Sequence, residues 1–389
     1  LNGIKMPIHT FKSAHKLVTG FNASKQLAKY CHDLNMSKVL ILTDHGILNS
    51  GSLTPITDLL QQQHIEFSIY ADITPEPEIE VVLQSKKFFE QDQYNGVIAI
   101  GGGSVIDTAK CIAIYGNNHE PLESFFGENK VSQKGLPLIV LPTTAGTGSE
   151  VTNIAILSDS KNQIKKGIVS DFLLPDVAIV APEMTLSCPA HITAASGVDA
   201  LVHAIESFIS VNASPLTDAL AIQAMKLIIN ALPKAYANPD DLQAHEDMAN
   251  ASLMAGLSFG NAGVGAVHAL AYPLGGRFHM AHGVSNALLL PFVMEYNRIA
   301  CLDKFKVIAE CFNEPTTGLN DLQIADRVIS RLHNICEMVN IPKGLRNFNI
   351  PESVIPELAA EAIKVERLLR NNPRRLTQQE IENIYYEAY

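Results

Sequence analysis

Residues 97–110, VIAIGGGSVIDTAK, read as an apolar strand, three consecutive glycines, a serine and the opening of a helix. Gly101, Gly102 and Gly103 let the backbone turn tightly and approach an anion, and the N–H groups that open the next helix can bind phosphate oxygens. Ser104 adds a hydroxyl or a cap. A plain glycine-rich turn fits the same residues, so the segment needs support from its surroundings.

Two neighbours supply it. The segment LPTTAGTGSEVT (141–152) repeats the design with hydroxyls, and Thr143, Thr144 and Thr147 can donate to phosphate or ribose oxygens; loop threonines are more often solvated turn residues. Asp44 ends the apolar run KVLILTD (38–44), where a carboxylate can accept from ribose hydroxyls and repel the 2′-phosphate of NADP, favouring NAD. An N-capping aspartate is the bland alternative. The runs EFSIYAD (66–72), GVIAIGGG (96–103), PLIVLPTT (137–144) and PDVAIVAP (175–182) share the continuous apolar character of parallel strands covered on both faces. Amphipathic stretches separate them, so the first half is α/β, with ligands expected beyond the carboxyl ends of the strands.

After Pro189 apolar residues recur at helical spacing through 193–258, 288–311, 321–340 and 356–389. Prolines at 175, 182 and 189 mark the change of character. The expected division is an α/β dinucleotide-binding domain over 1–187 and a helical metal-binding and substrate domain over 188–389. A chain of 389 residues is about twice the length of a usual domain, in keeping with two domains around one cleft.

Composition narrows the partners. With 47% hydrophobic and 18% charged residues the chain is neither disordered nor marked by an apolar run near the roughly 20 residues that cross a bilayer. Its formal net charge of −11 argues against nucleic acid and anionic membranes and for small molecules. Cysteines 31, 111, 188, 301, 311 and 336 lack CxxC spacing and are expected to be reduced, giving a cytoplasmic expectation. The start, LNGIKMPIHTFKSAHKLVTG, has no signal-like apolar stretch and its first residue is not Met, so some leading residues are expected to be added or processed.

The segment SGVDALVHAIESF (196–208) sets Asp199 and His203 four apart on one helical face. A second segment, AVHALAYPLGGRFHMAHGVSNALLLP (266–291), offers His268, His279 and His282 around a Pro-Leu-Gly-Gly break. A single histidine is more often a hydrogen-bonded core or surface residue than a ligand. Imidazole and carboxylate without thiolate suit Fe(II), Zn(II), Mn(II) or Co(II), and four protein ligands leave a vacancy only where coordination exceeds four, as iron allows.

GGGSVIDTAK, PTTAGTGSEVT, GVDALVHAIE and HALAYPLGG…AHG together resemble the iron-containing (group III) alcohol dehydrogenases over nearly the whole chain. The resemblance implies an N-terminal Rossmann-like parallel-sheet domain for NAD and a C-terminal helical domain, a dehydroquinate synthase-like architecture, with the active site between them. It implies metal ligands at Asp199, His203, His268 and His282, and cofactor contacts at Asp44, Gly102, Gly103, Ser104, Asp107, Thr143, Thr144, Thr147 and Lys165, with Lys166 as the substitute for Lys165.

The implied reaction interconverts a small primary alcohol or diol and its aldehyde with NAD and a divalent metal, Fe(II) before Zn(II), in a homodimer or higher homo-oligomer. His268 and His282 serve catalysis through the metal. Tyr272 stands where many members have a histidine, and its reference pKa of about 10 makes it a poor proton carrier; His279 is the substitute relay. Ala181 and Cys188 replace the usual Asp and Leu. The alternatives are a glycerol dehydrogenase or dehydroquinate-synthase-like relative using zinc, and a non-catalytic nucleotide-binding or assembly-forming protein.

Overall fold

The computed structural model describes residues 8–389, and the leading residues 1–7, where added or processed residues were expected, lie outside them. Strands β1 (Lys16–Thr19), β2 (Lys38–Leu42), β3 (Glu66–Tyr70), β4 (Gly96–Gly101), β6 (Leu138–Pro142) and β9 (Val177–Val180) form one sheet in the order β1-β9-β6-β4-β2-β3. Every pairing in it is parallel. A smaller sheet joins β5 (Gly127–Glu128) to the antiparallel hairpin of β7 (Ile154–Asp159) and β8 (Ile164–Val169).

Side chains alternate across a strand, so one register row faces each layer. Ile41, Ile98, Ile139 and Val177 stand side by side and point into one apolar cluster. Helices α1 (Leu27–Asp33), α2 (His45–Ser50) and α3 (Thr54–Gln62) follow β1 and β2, and Leu27, Cys31 and Leu60 join that cluster. Leu40, Val97, Val140 and Ala178 point the other way, toward α4 (Ile79–Phe89) and α5 (Gly103–Tyr115). Both faces are therefore covered, which explains why the central strands are apolar without alternation.

The second half is helical: α6 (Ala190–Ile209), α7 (Pro215–Ala237), α8 (Leu242–Ala262), α9 (Ala266–Phe278), α10 (His282–Asn297), α11 (Leu302–Cys311), α12 (Asp321–Met338), α13 (Ile355–Ala362), α14 (Glu366–Leu369) and α15 (Gln378–Glu387). By length and composition alone α6 reaches the dimensions of a membrane span, but 78% of its most apolar window is buried inside the protein. Between α8 and α9 the axis bends by 100°. Gly263 turns there with φ of 78°, and the amide of Asn371 donates to the Val264 carbonyl at 2.9 Å, locking the bend.

Two expectations need correction. The Pro-Leu-Gly-Gly stretch does not break the helix: α9 runs through it and ends at His279, whose φ of 52° is left-handed. Gly276 is needed for packing instead, since a Cβ there would lie 2.4 Å from the Gln163 carbonyl oxygen in the β7–β8 turn. Nor do the glycines of 101–103 adopt left-handed backbone; a Cβ on Gly103 would lie 2.7 Å from Thr147, so its smallness admits the second loop.

Beneath the loops lies a buried polar cluster. Lys110 is fully buried and donates to Thr152 Oγ1 at 3.0 Å and the Ile154 carbonyl at 2.7 Å. Glu150 is 2% exposed, and burial pushes its carboxyl up to about 7, against weaker lowering by backbone and Lys110. The folded chain thus binds this proton more tightly than the unfolded chain, whose value is near 4.5. Its contribution to stability is full below about 4.5 and is lost as pH rises to about 7. Glu150→Gln is expected to raise Tm by roughly a few degrees at pH 8, the gain shrinking as pH falls toward the unfolded value. Melting curves across pH check this, and an equal shift at every pH would contradict it.

Candidate metal and cofactor site

The helical spacing of 199 and 203 and the bend before α9 bring four donors together. Asp199 and His203 project from α6, His268 comes from the first turn of α9 and His282 opens α10. One donor atom from each lies within 4.8 Å of every other. Nε2 of His203 and of His268 are 3.0 Å apart, and Nε2 of His268 and of His282 stand 3.9 and 3.8 Å from Asp199 Oδ1. Asp199, His203 and His268 are buried, whereas His282 is half-buried and gives the group an open side.

The hydrogen bonds behind these rings set what the cluster can hold. His203 Nδ1 donates to the Gly146 carbonyl at 3.1 Å, and His268 Nδ1 donates to Glu206 Oε2 at 2.6 Å. With Nδ1 occupied as donor, neutral imidazole presents a lone pair at Nε2. Burial pushes the His203 pKa down to about 3, against the raising pull of Asp199, so its ring is neutral near pH 7. Two imidazole lone pairs facing each other beside a carboxylate repel unless a cation lies among them. The donor set therefore fits a divalent metal, and the backing carbonyl and carboxylate are the partners that orient metal-binding histidines. Asn286, one turn after His282, directs Nδ2 to Asp199 Oδ1 at 2.7 Å and to Nε2 of His268 and His282 at 3.1 Å each. Its own Oδ1 is buried without a partner.

The cofactor candidates gather at the reversal of strand order. β2 is flanked by β3 on one side and β4 on the other, so the crevice opens above the carboxyl ends of β2 and β4. Asp44 leaves β2 there and caps α2, its Oδ1 accepting from Ile47 N at 3.0 Å; the bland reading of this residue is thus real, and it engages one of two oxygens. Thr144 lies against Gly102, and its Oγ1 is buried without a partner. An orphaned hydroxyl beside a helix N-terminus at the switch point suits a nucleotide's phosphate or ribose. Thr143 is buried beside it, its N–H bonded to the Gly101 carbonyl at 3.0 Å.

Other candidates are partly committed. Ser104 Oγ accepts from Glu76 N at 3.2 Å, and Asp107 Oδ2 accepts from Ile156 N at 2.9 Å, tying α5 to β7. Lys165 is 6% exposed, ion-paired with Glu76 and donating to Ser158 Oγ at 2.7 Å. Lys166 points to the opposite face of β8 and pairs with Asp159 at 2.6 Å, so of the two lysines only Lys165 joins the glycine-loop side. His279 is exposed at the end of α9 and stands apart from the four donors. Tyr272 is half-buried; burial holds its phenol above the ordinary value, with Arg367 pulling it down and Asp107 and Glu76 adding to the rise.

Four residues here escaped the reading of the sequence. Glu206 and Asn286 carried a signal, being three residues after His203 and four after His282 and hence on the same helical faces as those ligands. Glu76 and Arg367 carried none. Glu76 reaches the site from the β3–α4 connection, where its Oε1 accepts from His282 N at 3.0 Å, joining the first half of the chain to the helix that bears a ligand.

Two family models cover the chain: "iron-containing alcohol dehydrogenase" matches residues 14–182, and "Fe-containing alcohol dehydrogenase family, C-terminal" matches 193–389. A long-chain-alcohol dehydrogenase of Geobacillus thermodenitrificans is 42% identical over 95% of this chain and 94% of its own length. An NAD-dependent methanol dehydrogenase of Bacillus methanolicus is 36% identical over 95% of this chain and 97% of its own. The crystal structure of a 1,3-propanediol oxidoreductase superposes with a TM-score of 0.95 at 37% identity, covering 98% of this chain and all of the other.

Proposed function

The chain belongs to the iron-containing alcohol dehydrogenases, and from that premise we propose that it interconverts a small primary alcohol or diol and its aldehyde, using a divalent metal held by Asp199, His203, His268 and His282. As a member of that family it carries out NAD-dependent oxidoreduction of alcohols. The relatives named for methanol and 1,3-propanediol support a short substrate here, and the one named for long-chain alcohols a longer one. The observation that carries the reading is the convergence of two imidazole lone pairs and a carboxylate on one buried point.

When bound, the metal supplies a Lewis acid that stabilises negative charge on the substrate oxygen, and the nicotinamide supplies the hydride acceptor or donor. The chain's own residues do the rest. Asp199 and the three histidines neutralise and orient, Glu206 and the Gly146 carbonyl fix the tautomers of His268 and His203, and the open side at His282 admits substrate. Asp44 binds the adenosine ribose, Gly102, Gly103, Ser104, Thr143, Thr144 and Thr147 cradle the phosphates, and Asp107 and Lys165 complete the cofactor wall. Tyr272 stays protonated and shapes the pocket, and His279, exposed and apart from the four donors, would act as substitute relay only at the solvent end of a proton path. Iron is preferred to zinc because four protein ligands leave room for substrate only above four-coordination. The protein works in the cytoplasm as a homodimer or larger, residues 1–187 carrying the cofactor and 188–389 the metal.

The test is protein reconstituted separately with Fe(II) and Zn(II), supplied with NADH and short aldehydes, diols and hydroxy acids. Turnover of a short aldehyde with iron is the expected outcome; silence toward all of them with metal and NADH both bound would favour the non-catalytic alternative. Glu206→Gln is expected to weaken metal binding roughly 10–100-fold, because Val267 N and His268 Nδ1 donate to different carboxylate oxygens and Gln would set an NH2 donor against one of them. Competition with a calibrated chelator measures it, and unchanged affinity would remove Glu206 from this role.

A further inference from the structure

Arg367, on α14, has a half-buried guanidinium 3.4 Å from the Tyr272 hydroxyl, and a Cβ on Gly167 of β8 would lie 3.9 Å from its Nη2. Its neighbours are paired: Arg370 with Glu128 at 2.9 Å and Arg374 with Glu380 at 3.7 Å. Lys165, on the same strand as Gly167, is paired with Glu76. Among the described residues no carboxylate lies within 4.0 Å of Arg367, whose only side-chain hydrogen bond is the long one to a neutral phenol. Guanidinium carries five donors and is always charged, so a partly desolvated one without a counter-ion is a place prepared for an anion.

That place adjoins the reaction centre. Tyr272 follows His268 by four residues, about 6 Å along the helix axis, on the same face. Its phenol feels the charges of Asp107 and Glu76, and Glu76 bonds the His282 N–H. The cofactor's phosphates have their own loops at the ends of β4 and β6, whereas Arg367 stands on the side of the β7–β8 hairpin. We propose that Arg367 anchors an anionic group at the far end of the substrate, so the favoured aldehydes are short ones bearing a carboxylate or similar oxyanion a few carbons from the reacting carbon. This rests on the dehydrogenase reading above and adds the substrate class to it.

The experiment compares 4-oxobutanoate with butanal, equal in carbon number, on the metal-loaded enzyme with NADH. The wild type is expected to favour 4-oxobutanoate in kcat/KM by at least about tenfold, mainly through KM. Arg367→Gln should lower that ratio roughly ten- to hundredfold, with Arg367→Lys restoring part of it. An unchanged ratio, or a rise in the KM of NADH in place of that of the aldehyde, would overturn the inference, the second outcome giving Arg367 to a cofactor phosphate. Turnover of butanal without a preference for the anion overturns this inference alone; turnover of neither overturns the short-aldehyde reading and this inference with it.

Discussion

Replacing His268 by Ala is expected to strip the protein of its metal and to lower kcat by about a thousandfold or more. His268 sits at the centre of the donor group, 3.0 Å from the Nε2 of His203 and 3.9 Å from Asp199 Oδ1. Its loss leaves three donors. It also deprives Glu206 of the N–H it accepts at 2.6 Å, so a buried carboxylate loses half its partners, and repulsion from Asp199 is no longer screened by the ring between them. Electrostatic help to a developing alkoxide is worth several kcal/mol, and each 1.36 kcal/mol is tenfold in rate, which gives about a thousandfold. Metal per chain is measured beside kcat. Full activity in a variant that carries no metal would rule out the site as drawn.

Cofactor choice is expected to shift by about a hundredfold to a thousandfold in Asp44→Gly, read as the ratio of kcat/KM for NADH to that for NADPH. One carboxylate oxygen caps α2 through Ile47 N, and the other is free to accept from ribose hydroxyls. Gly is the informative substitute because it costs an N-cap only a few tenths of a kcal/mol, so the helix remains while the charge departs. Two effects then add: NADH loses charge-assisted hydrogen bonds, and NADPH no longer meets a second negative charge. A wild-type enzyme that prefers NADPH, or a variant whose ratio stays put, would take Asp44 out of cofactor selection.

The sequence carried those features whose signal is local. The four central strands β9, β6, β4 and β2 were legible because burial on both faces demands unbroken apolar runs, and the edge strand β3 from its own apolar run; Asp199 and His203 were legible because helical periodicity puts residues four apart on one face. The pairing of the glycine loop with the threonine loop followed from their strands being neighbours, but the reason for the glycines did not. Gly103 is small so that Thr147 can approach, a requirement set by a residue 44 positions away. β1, KLVT, is too short and too exposed to announce itself, and the β7–β8 hairpin mixes polar and apolar positions because its small sheet is only partly covered. Proline in α9 read as a break because intrinsic preference opposes it, yet the helix continues through Pro273 and packs against the β7–β8 hairpin, where Gly276 meets Gln163. Glu76 and Arg367 meet the site only through tertiary folding, so no window of sequence contains them together with their partners.

Helix α8 belongs by chain order to the second half, yet Ala249, Leu253 and Leu257 on it are part of the apolar cluster beneath the parallel sheet, while Met248, Ala251 and Ala255 pack among the other helices. Gly256 on the same helix meets Gly148 of the threonine loop so closely that a Cβ on it would lie 2.8 Å from the other's Cα. Modularity stops at this helix. A break in the chain near residue 188 separates the motifs but cuts across a shared core, so neither piece buries its apolar face without the other. The protein is divisible as a text and indivisible as a folding unit, and a nucleotide half transplanted from a relative would have to bring a matching α8 with it.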